Sequence, residues 1–308
     1  KVPLHGYENL VFYVWFDAPI GYISITKDGV ENWKDWWTNS KVYHFIGKDN
    51  IPFHTIFWPG TLIAAHQLGY VLPHNVVGYE YLNWEGEKFS TSRGIGLFSD
   101  EALDLFPADY WRYYLASILP EYKDSNFDWN DFQNRINGEL IGNYGNLFYR
   151  ATYFLEKNFN GIVPEAELGE TEHALQWELK KTIEKVHELV NEVKLREALK
   201  EILTFSSLVN KYFQDSKPWA SSKEDQARTL FITINLLNQI SLLLTPFVPQ
   251  AAGRALECIG GRRELTEKFT VKPGHKIKAE ILFAKIEDAA LEKVKRYKTK
   301  YIKKDLIE

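Results

Sequence analysis

The sequence has one cysteine, Cys258, and no methionine among its 308 residues. A single thiol excludes a disulfide framework and any zinc site built from several thiolates of this chain. Alone, Cys258 reads as a small buried apolar side chain. No apolar run approaches the roughly 20 residues of a membrane span and no secretory leader is recognisable, so the expected compartment is cytoplasmic, without a membrane partner. No G-x-x-x-x-G-K-[ST] pattern occurs, which disfavours phosphate chemistry of the P-loop kind. Net charge is only −4, from 37 Lys/Arg and 41 Asp/Glu. That excludes a globally basic nucleic-acid binder but not local basic surfaces. Residues 261–308 carry 14 Lys/Arg against 8 Asp/Glu, and Lys293–Lys304 holds seven basic residues and no acidic one. Lys1 leads straight into strand-like sequence, so the chain reads like a piece of something longer.

Aromatic bulk is what the chain has in quantity: 10 Trp, 17 Tyr and 19 Phe in a composition 45% hydrophobic. Such a chain can bury a sizeable core and is not disordered. At about 150 residues per domain there is room for two. Residues 1–115 hold 25 of the aromatics and read as α/β. Val11–Phe16 is an apolar, β-prone run expected as a buried strand, Val42–Ile46 is a second strand, and Asn75-Val76-Val77 begins a third. Pro52 opens a helix expected to reach about Leu68. Strands alternating with helices predict a parallel sheet covered on both faces. Glu85-Gly86 reads as a hairpin turn before the loop Lys88–Gly94.

From Pro107 the pattern turns helical. Phe132, Ile136, Leu140, Tyr144 and Phe148 step by four, as a helix packed on one side requires, and Asn160-Gly161 carries a C-cap signal. Further helices are expected over about 172–193, 195–214, 223–244 and 250–259, with Thr171 and Ser222 as N-caps and Pro246 and Gly260-Gly261 as stops. The second part is therefore an all-α bundle.

Candidate chemistry gathers in four places. The loop Lys88-Phe89-Ser90-Thr91-Ser92-Arg93-Gly94 supplies cations, hydroxyls and a flexible glycine, which suits a polyphosphate, though an ordinary solvated loop has the same composition. Gly47-Lys48-Asp49 lies just beyond a predicted strand, where open α/β sheets bind ligands. Trp15–Tyr22 follows another strand-like run. His54 and Trp58 share a helix face. Singly, Trp15 and Trp58 read as core, and His54 reads equally as core or contact. His5, His44, His66 and His74 show no metal-like spacing, and no metal ligand is expected in this chain.

Taken together, Trp15–Tyr22, His44–Asp49, Phe53–Trp58 and Lys88–Arg93 occur in the order found in methionyl-tRNA synthetases, class I aminoacyl-tRNA synthetases. The resemblance continues through Phe106–Asp109, Gly145–Arg150 and Lys217-Pro218-Trp219, covers nearly the whole chain, and looks closest to archaeal members. It implies a Rossmann-type half-domain with the signature loop over 1–120, a helical anticodon-binding domain over 121–260, and a basic linker or tail over 261–308. Trp15, Ala18, Pro19, Tyr22, His54 and Trp58 would line the methionine side chain, whose soft thioether suits aromatic edges. Gly47, Lys48 and Asp49 would flank ATP, and Lys88, Phe89, Ser90, Thr91 and Ser92 would hold its phosphates. Lys88, Thr91 and Arg93 are the catalytic candidates, Thr91 standing where the family often has a second lysine. Asn146, Arg150 and Trp219 would read the CAU anticodon by stacking and edge bonds; alone, Trp219 after Pro218 reads as packing at a helix start.

The implied activity is ATP- and Mg²⁺-dependent methionine–tRNA ligation, with methionine and both elongator and initiator tRNA as partners. The family's His-Ile-Gly-His signature and zinc-bearing insertion belong to an N-terminal half absent from these residues. Two alternatives stay open. The chain could be a tRNA-binding module or one chain of a split enzyme, or it could serve another class I synthetase for an aliphatic amino acid.

Overall fold

The computed structural model describes residues 1–297, in two compact units: Lys1–Tyr81 with Pro120–Asp124, and Leu82–Leu119 with the described residues from Ser125 onward. The first unit runs α1 (Ile20–Gly29), α2 (Trp33–Thr38), β1 (Val42–Gly47), a π-helical turn Phe53–Phe57 continuing as α3 (Trp58–Ala64), and β2 (Pro73–Tyr79). Strands β1 and β2 pair in parallel, Tyr43 opposite Asn75 through Gly47 opposite Tyr79. The helical stretch after Pro52 matches expectation, although it opens with a π turn and closes with a 3₁₀ turn, His66–Leu68.

Two expectations fail in this unit. Residues 11–16 form no strand: Val14–Phe16 is a 3₁₀ turn and Val11 is 74% exposed. The parallel sheet is not covered on both faces either, since Phe45 on β1 is 55% exposed. The cause is common to both. An apolar β-prone run becomes a buried strand only when a neighbouring strand and a covering layer meet it, and among the described residues this unit has two strands and a core of Trp37, Trp58 and Leu62.

The second unit begins with β3 (Leu82–Trp84) and β4 (Glu87–Lys88), then α4 (Ser99–Leu105), α5 (Ala108–Ser117), β5 (Ser125–Phe127) and α6 (Trp129–Asn134). Glu85 and Gly86 both have positive φ, 49° and 84°, as a two-residue primed turn between β3 and β4 requires. Strand β5 pairs in parallel with β3. The bundle follows: a π-helical run Arg135–Gly145, α7 (Asn146–Phe159), α8 (Glu170–Asn191), α9 (Leu195–Asp215), α10 (Lys223–Leu244), α11 (Pro249–Ile259) and α12 (Asp288–Lys295).

Phe132, Ile136, Leu140, Tyr144 and Phe148 are all fully buried. On a regular α-helix a step of four overshoots by about 40° each time and would carry the last of them off the face. The wider turns of the π run rotate less per residue and hold the row in line. Ser222 caps α10 as expected, its Oγ accepting the Asp225 N–H at 3.1 Å. Helix α8 starts at Glu170, with Gly169 rather than Thr171 at the N-cap, its N–H donated to Glu172 at 2.8 Å. By length and composition α10 would pass for a membrane span, but 83% of its apolar window is buried inside the bundle.

Residues 261–286 have no regular structure yet are held closely. Asn235 of α10 accepts the Val271 N–H at 2.9 Å and donates to its carbonyl at 3.3 Å. Asn137 clamps Ile286 in the same two-way fashion, both bonds 2.9 Å. Buried side-chain amides thus replace the ladder that this segment lacks. Gly161 packs under it with φ 75°; a Cβ there would sit 2.3 Å from the Ile277 carbonyl oxygen. Lys298–Lys304, most of the basic stretch, lies outside the described residues.

Candidate functional site

In the first unit the turn before α1 and the π turn before α3 bring an aromatic cluster together. His54 and Trp58 are each 1% exposed. The His54 Nδ1 lies 2.9 Å from the Asn50 carbonyl, which can only accept, so Nδ1 carries a proton. In the neutral ring the Tyr22 hydroxyl then donates to Nε2 at 2.8 Å. Trp15 meets His54 edge-on at 5.6 Å, and Tyr22 meets Trp58 edge-on at 6.3 Å. Pro19 is buried where α1 starts, while Ala18 before it is exposed. Of the six expected pocket residues, Trp15, Tyr22, His54 and Trp58 therefore form one cluster through ring contacts. Sequence reading missed His44, which joins at 5.1 Å from both Tyr22 and His54. Burial pushes the Tyr22 phenol up and the His44 imidazole down, the latter helped by His54. Trp58 Nε1 and His44 Nε2 are buried without a hydrogen-bond partner among the described residues.

Gly47, Lys48 and Asp49 sit at the carboxyl end of β1, as expected. Their surroundings were not foreseen. Lys48 bonds Glu80 just beyond β2 and reaches Asp124 at 3.4 Å, with its Nζ 4.5 Å from the centre of the Tyr81 ring. The Tyr81 hydroxyl donates to Asp49. The Glu80 bond raises the Lys48 ammonium, and the Asp49 bond raises the Tyr81 phenol. Lys48 is thus committed to acids of its own chain. Alternation in β1 and β2 could not have pointed to Asp124, which is 76 residues away.

The signature loop belongs to the second unit. It is a closed hairpin rather than an open loop: Ser90 and Ile95 exchange backbone bonds of 3.1 and 2.9 Å, and the Gly94 N–H returns to the Thr91 carbonyl at 3.2 Å. Gly94 and Gly96 have positive φ. The Phe89 ring fills the space a side chain at Gly96 would need, 2.4 Å from the position of its Cβ. Lys88, Thr91, Ser92 and Arg93 are exposed. Ser90 Oγ and Ser92 Oγ lie 3.4 Å apart, and Arg93 reaches Glu87 at 3.3 Å. That acidic partner went unnoticed in the sequence, although it directly precedes Lys88.

In the bundle, Asn146 opens α7 and Arg150 lies one turn further on, while Trp219 sits in a turn closed by the Ala220 N–H on the Lys217 carbonyl at 2.8 Å. Pro218 is buried and Trp219 is 51% exposed, so the proline rather than the indole is the packing residue. The guanidinium of Arg150 lies 5.8 Å from the Trp219 ring centre and 5.3 Å from that of Phe213. It donates to Gln214 Oε1 at 2.8 Å. Two residues 69 positions apart thus form one open surface of a cation beside a flat ring, with Asn146 on the same helix face. In the string Phe106–Asp109, Asp109 is buried and accepts the Ala251 and Gln250 N–H groups at 2.7 and 3.3 Å. It anchors the start of α11 and stabilises the bundle.

A family model for class I tRNA synthetases (M) matches residues 1–152, and one for the anticodon binding domain of methionyl tRNA ligase matches residues 163–303. The chain belongs to the methionyl-tRNA synthetase family. Its fold is that of a class I synthetase catalytic-domain fragment followed by a helical anticodon-binding domain. The methionine–tRNA ligase of Pyrococcus horikoshii is 44% identical over 91% of this chain and 42% of its own length. The cytoplasmic enzyme of Xenopus laevis is 39% identical over 96% of this chain and 34% of its own. Among solved structures, methionyl-tRNA synthetase of Mycobacterium tuberculosis bound by methionyl-adenylate aligns with a TM-score of 0.79 at 26% identity, covering 92% of this chain and 58% of that one. The chain thus spans about two fifths of the length of the curated relatives it matches.

Proposed function

We propose that this chain is the C-terminal portion of a cytoplasmic methionine–tRNA ligase, with functional divisions at 1–120, 121–260 and 261–308. The observation that carries the proposal is the open surface made by Arg150 and Trp219, two side chains from separate segments meeting outside the core. An unstacked anticodon base would lie on the indole while Arg150 and Asn146 bond its edge. The partners are elongator and initiator methionine tRNAs, methionine and ATP.

The aromatic cluster of Trp15, Tyr22, His54 and Trp58, with Ala18 and Pro19, would receive the methionine side chain. A purely aliphatic substrate needs less aromatic lining, and a buried indole N–H without a partner suits a weak acceptor such as a thioether. In the reaction the methionine carboxylate attacks the α-phosphate and pyrophosphate leaves. Gly47, Lys48 and Asp49 would flank the nucleotide, with Lys48 and Asp49 held in place by Glu80 and Tyr81. Lys88, with Phe89, Ser90, Thr91 and Ser92, would hold the phosphates. Arg93 would supply the charge that Thr91 lacks, stabilising the leaving anion by position rather than by covalent chemistry. Among the described residues no three His, Cys, Asp or Glu side chains converge to hold an ion. Mg²⁺ would be carried on the nucleotide phosphates, and the resemblance implies zinc only in the family's N-terminal part.

The open apolar surface of the first unit, including Val11, Ile25 and Ile56, each more than 60% exposed, supports a second element of the reading. Adenylate formation would need a further part of the core, in the same chain or in a separate one, whereas tRNA binding would not. Methionine-dependent ATP–pyrophosphate exchange and tRNA binding, measured on this chain alone and with the family's N-terminal half added, test both elements. Binding without exchange, and exchange restored by addition, is the expected pattern. Failure to bind tRNA refutes the proposal.

A further inference from the structure

The second unit holds a cavity of about 360 Å³ that no reading above uses. Trp84 and Glu87 of the β3–β4 hairpin line one side and Ile95 of the signature hairpin another, while Trp129, Lys295 and Tyr297 close it from α6 and the end of α12. One wall is therefore the hairpin proposed to hold phosphates, and the facing wall is the last described turn of the chain.

The hairpin leaves through Leu97 to Phe98, where α4 begins. The Phe98 N–H donates to Glu101 Oε2 at 3.1 Å. Glu101 has no exposed surface, and its Oε1 accepts the Tyr297 hydroxyl at 3.1 Å from 196 residues away. A buried carboxylate that loses a donor keeps its desolvation cost, so this pair is held firmly. Tyr297 in turn stands on a fixed support. Gln133 of α6 donates to Asp288 at 2.9 Å and to the Ile286 carbonyl at 3.0 Å, and Lys295 donates to Asn130 at 2.8 Å. The other foot of the loop is tied to the same helix, since Glu85 accepts the Trp129 N–H at 2.9 Å. Both feet of the hairpin are thus tied into the same support, which sets its direction.

We propose that Glu101 and Tyr297 are positioning residues for adenylate formation: they latch the C-terminal foot of the signature hairpin to the segment that follows α12, so that Lys88 and the loop hydroxyls meet the departing pyrophosphate in a fixed place. This rests on the proposed reading of the hairpin as the phosphate holder. Charge stabilisation by an enzyme depends on donors already in position, and a supporting shell left loose costs rate rather than substrate affinity.

Tyr297→Phe removes one hydroxyl and keeps the ring and the cavity wall. Amide hydrogen exchange of this chain, read by mass spectrometry, should show residues 88–98 exchanging faster while α10 is unchanged. In the complete enzyme the same variant should lower the turnover of ATP–pyrophosphate exchange about tenfold, the scale of one hydrogen bond to a carboxylate fully transmitted to the transition state. The KM for methionine should stay as it was. In a Glu101→Gln background the second substitution should add little, as expected of residues acting as one unit. Unchanged protection of 88–98 in a folded Tyr297→Phe overturns the latch whatever the activity does. Faster amide exchange there with normal turnover overturns the positioning role. A wild-type complete enzyme without pyrophosphate exchange overturns the proposed function instead, and the protection of 88–98 still decides the latch.

Discussion

Trp219→Ala should weaken binding of a tRNA carrying the CAU anticodon by about 5- to 150-fold. The figure follows from the geometry. The indole is 51% exposed, and Arg150, 5.8 Å from its centre, would in the proposed reading bond the edge of a base stacked there. One base stacked on an aromatic side chain contributes about 1–3 kcal/mol, and each 1.4 kcal/mol is tenfold in affinity. The cost to folding is smaller than for a core aromatic. Truncating a fully buried ring costs about 3–5 kcal/mol, and with half the indole in water the loss here is about 1.5–2.5 kcal/mol, so the bundle should remain folded. Anisotropy of a labelled anticodon stem-loop, titrated with this chain at several salt concentrations, measures the effect. The salt slope should not change, because an indole neutralises no phosphate. A matched control is available in Trp177 of α8, which is 56% exposed and has Lys180 and Lys181 at 5.3 and 5.7 Å. It has the same exposure and more neighbouring charge, but Arg150 is not beside it. Trp177→Ala should bind within about twofold of wild type if stacking beside Arg150 is what matters. A folded Trp219→Ala that binds normally and still rejects a mutated anticodon, or a Trp177→Ala that loses as much, refutes the reasoning.

In a complete enzyme Trp58→Ala should raise the KM for methionine far more than that for ATP; the ring is fully buried, so about 3–5 kcal/mol of stability is at stake and a melting curve must accompany the kinetics. Lys88→Ala should slow adenylate formation on the order of 10²–10³-fold with methionine binding intact, and Thr91→Lys should not harm the step; a normal rapid-quench rate for Lys88→Ala would reduce the hairpin to a surface feature. Gly161→Ala forces a side chain at φ 75° against the Ile277 carbonyl and should cost at least about 2 kcal/mol, read as a lower midpoint in urea. His44, its imidazole held low by burial, binds fewer protons folded than unfolded below its ordinary value of about 6.5. Stability should therefore fall as pH drops through that range, and His44→Gln should flatten the dependence seen in denaturation curves at pH 5.5 and 7.5.

The helices of the bundle were legible because their signals are local. Ser222, Pro246 and the positive-φ pair Asn160-Gly161 act within a turn of themselves, and the apolar period of α8 to α10 is read from one segment at a time. What was not legible depends on partners. Val11–Phe16 has the composition of a buried strand and is exposed, because a strand is completed by its neighbours and a helix is not. Residues 261–286 have no period to read. They are fixed by Asn137, Asn235 and Gln239, polar residues that look out of place on buried helix faces until the segment they bind is known.

The same division governs the site. Spacing gave His54 and Trp58 only a shared helix face; their place in a pocket came from the family resemblance, as did that of Tyr22, whose hydroxyl meets His54 from 32 residues earlier. Lys48 was read as flanking the nucleotide and Arg93 as part of the phosphate loop, and each faces an acid of its own chain, Glu80 and Glu87. For Arg93 the ion pair joins two exposed side chains, and such pairs contribute about 0–1 kcal/mol, so a polyphosphate can displace Glu87 at little cost. Lys48 is different. It is only a third exposed and bonded to Glu80, with Asp124 and the Tyr81 ring close by. Moving it onto a phosphate would leave Glu80 without its cation at the mouth of the strands. In the proposed reading the anion would therefore fall to the hairpin, while Lys48 would stay with Glu80 and Asp124, the Tyr81–Asp49 bond beside it.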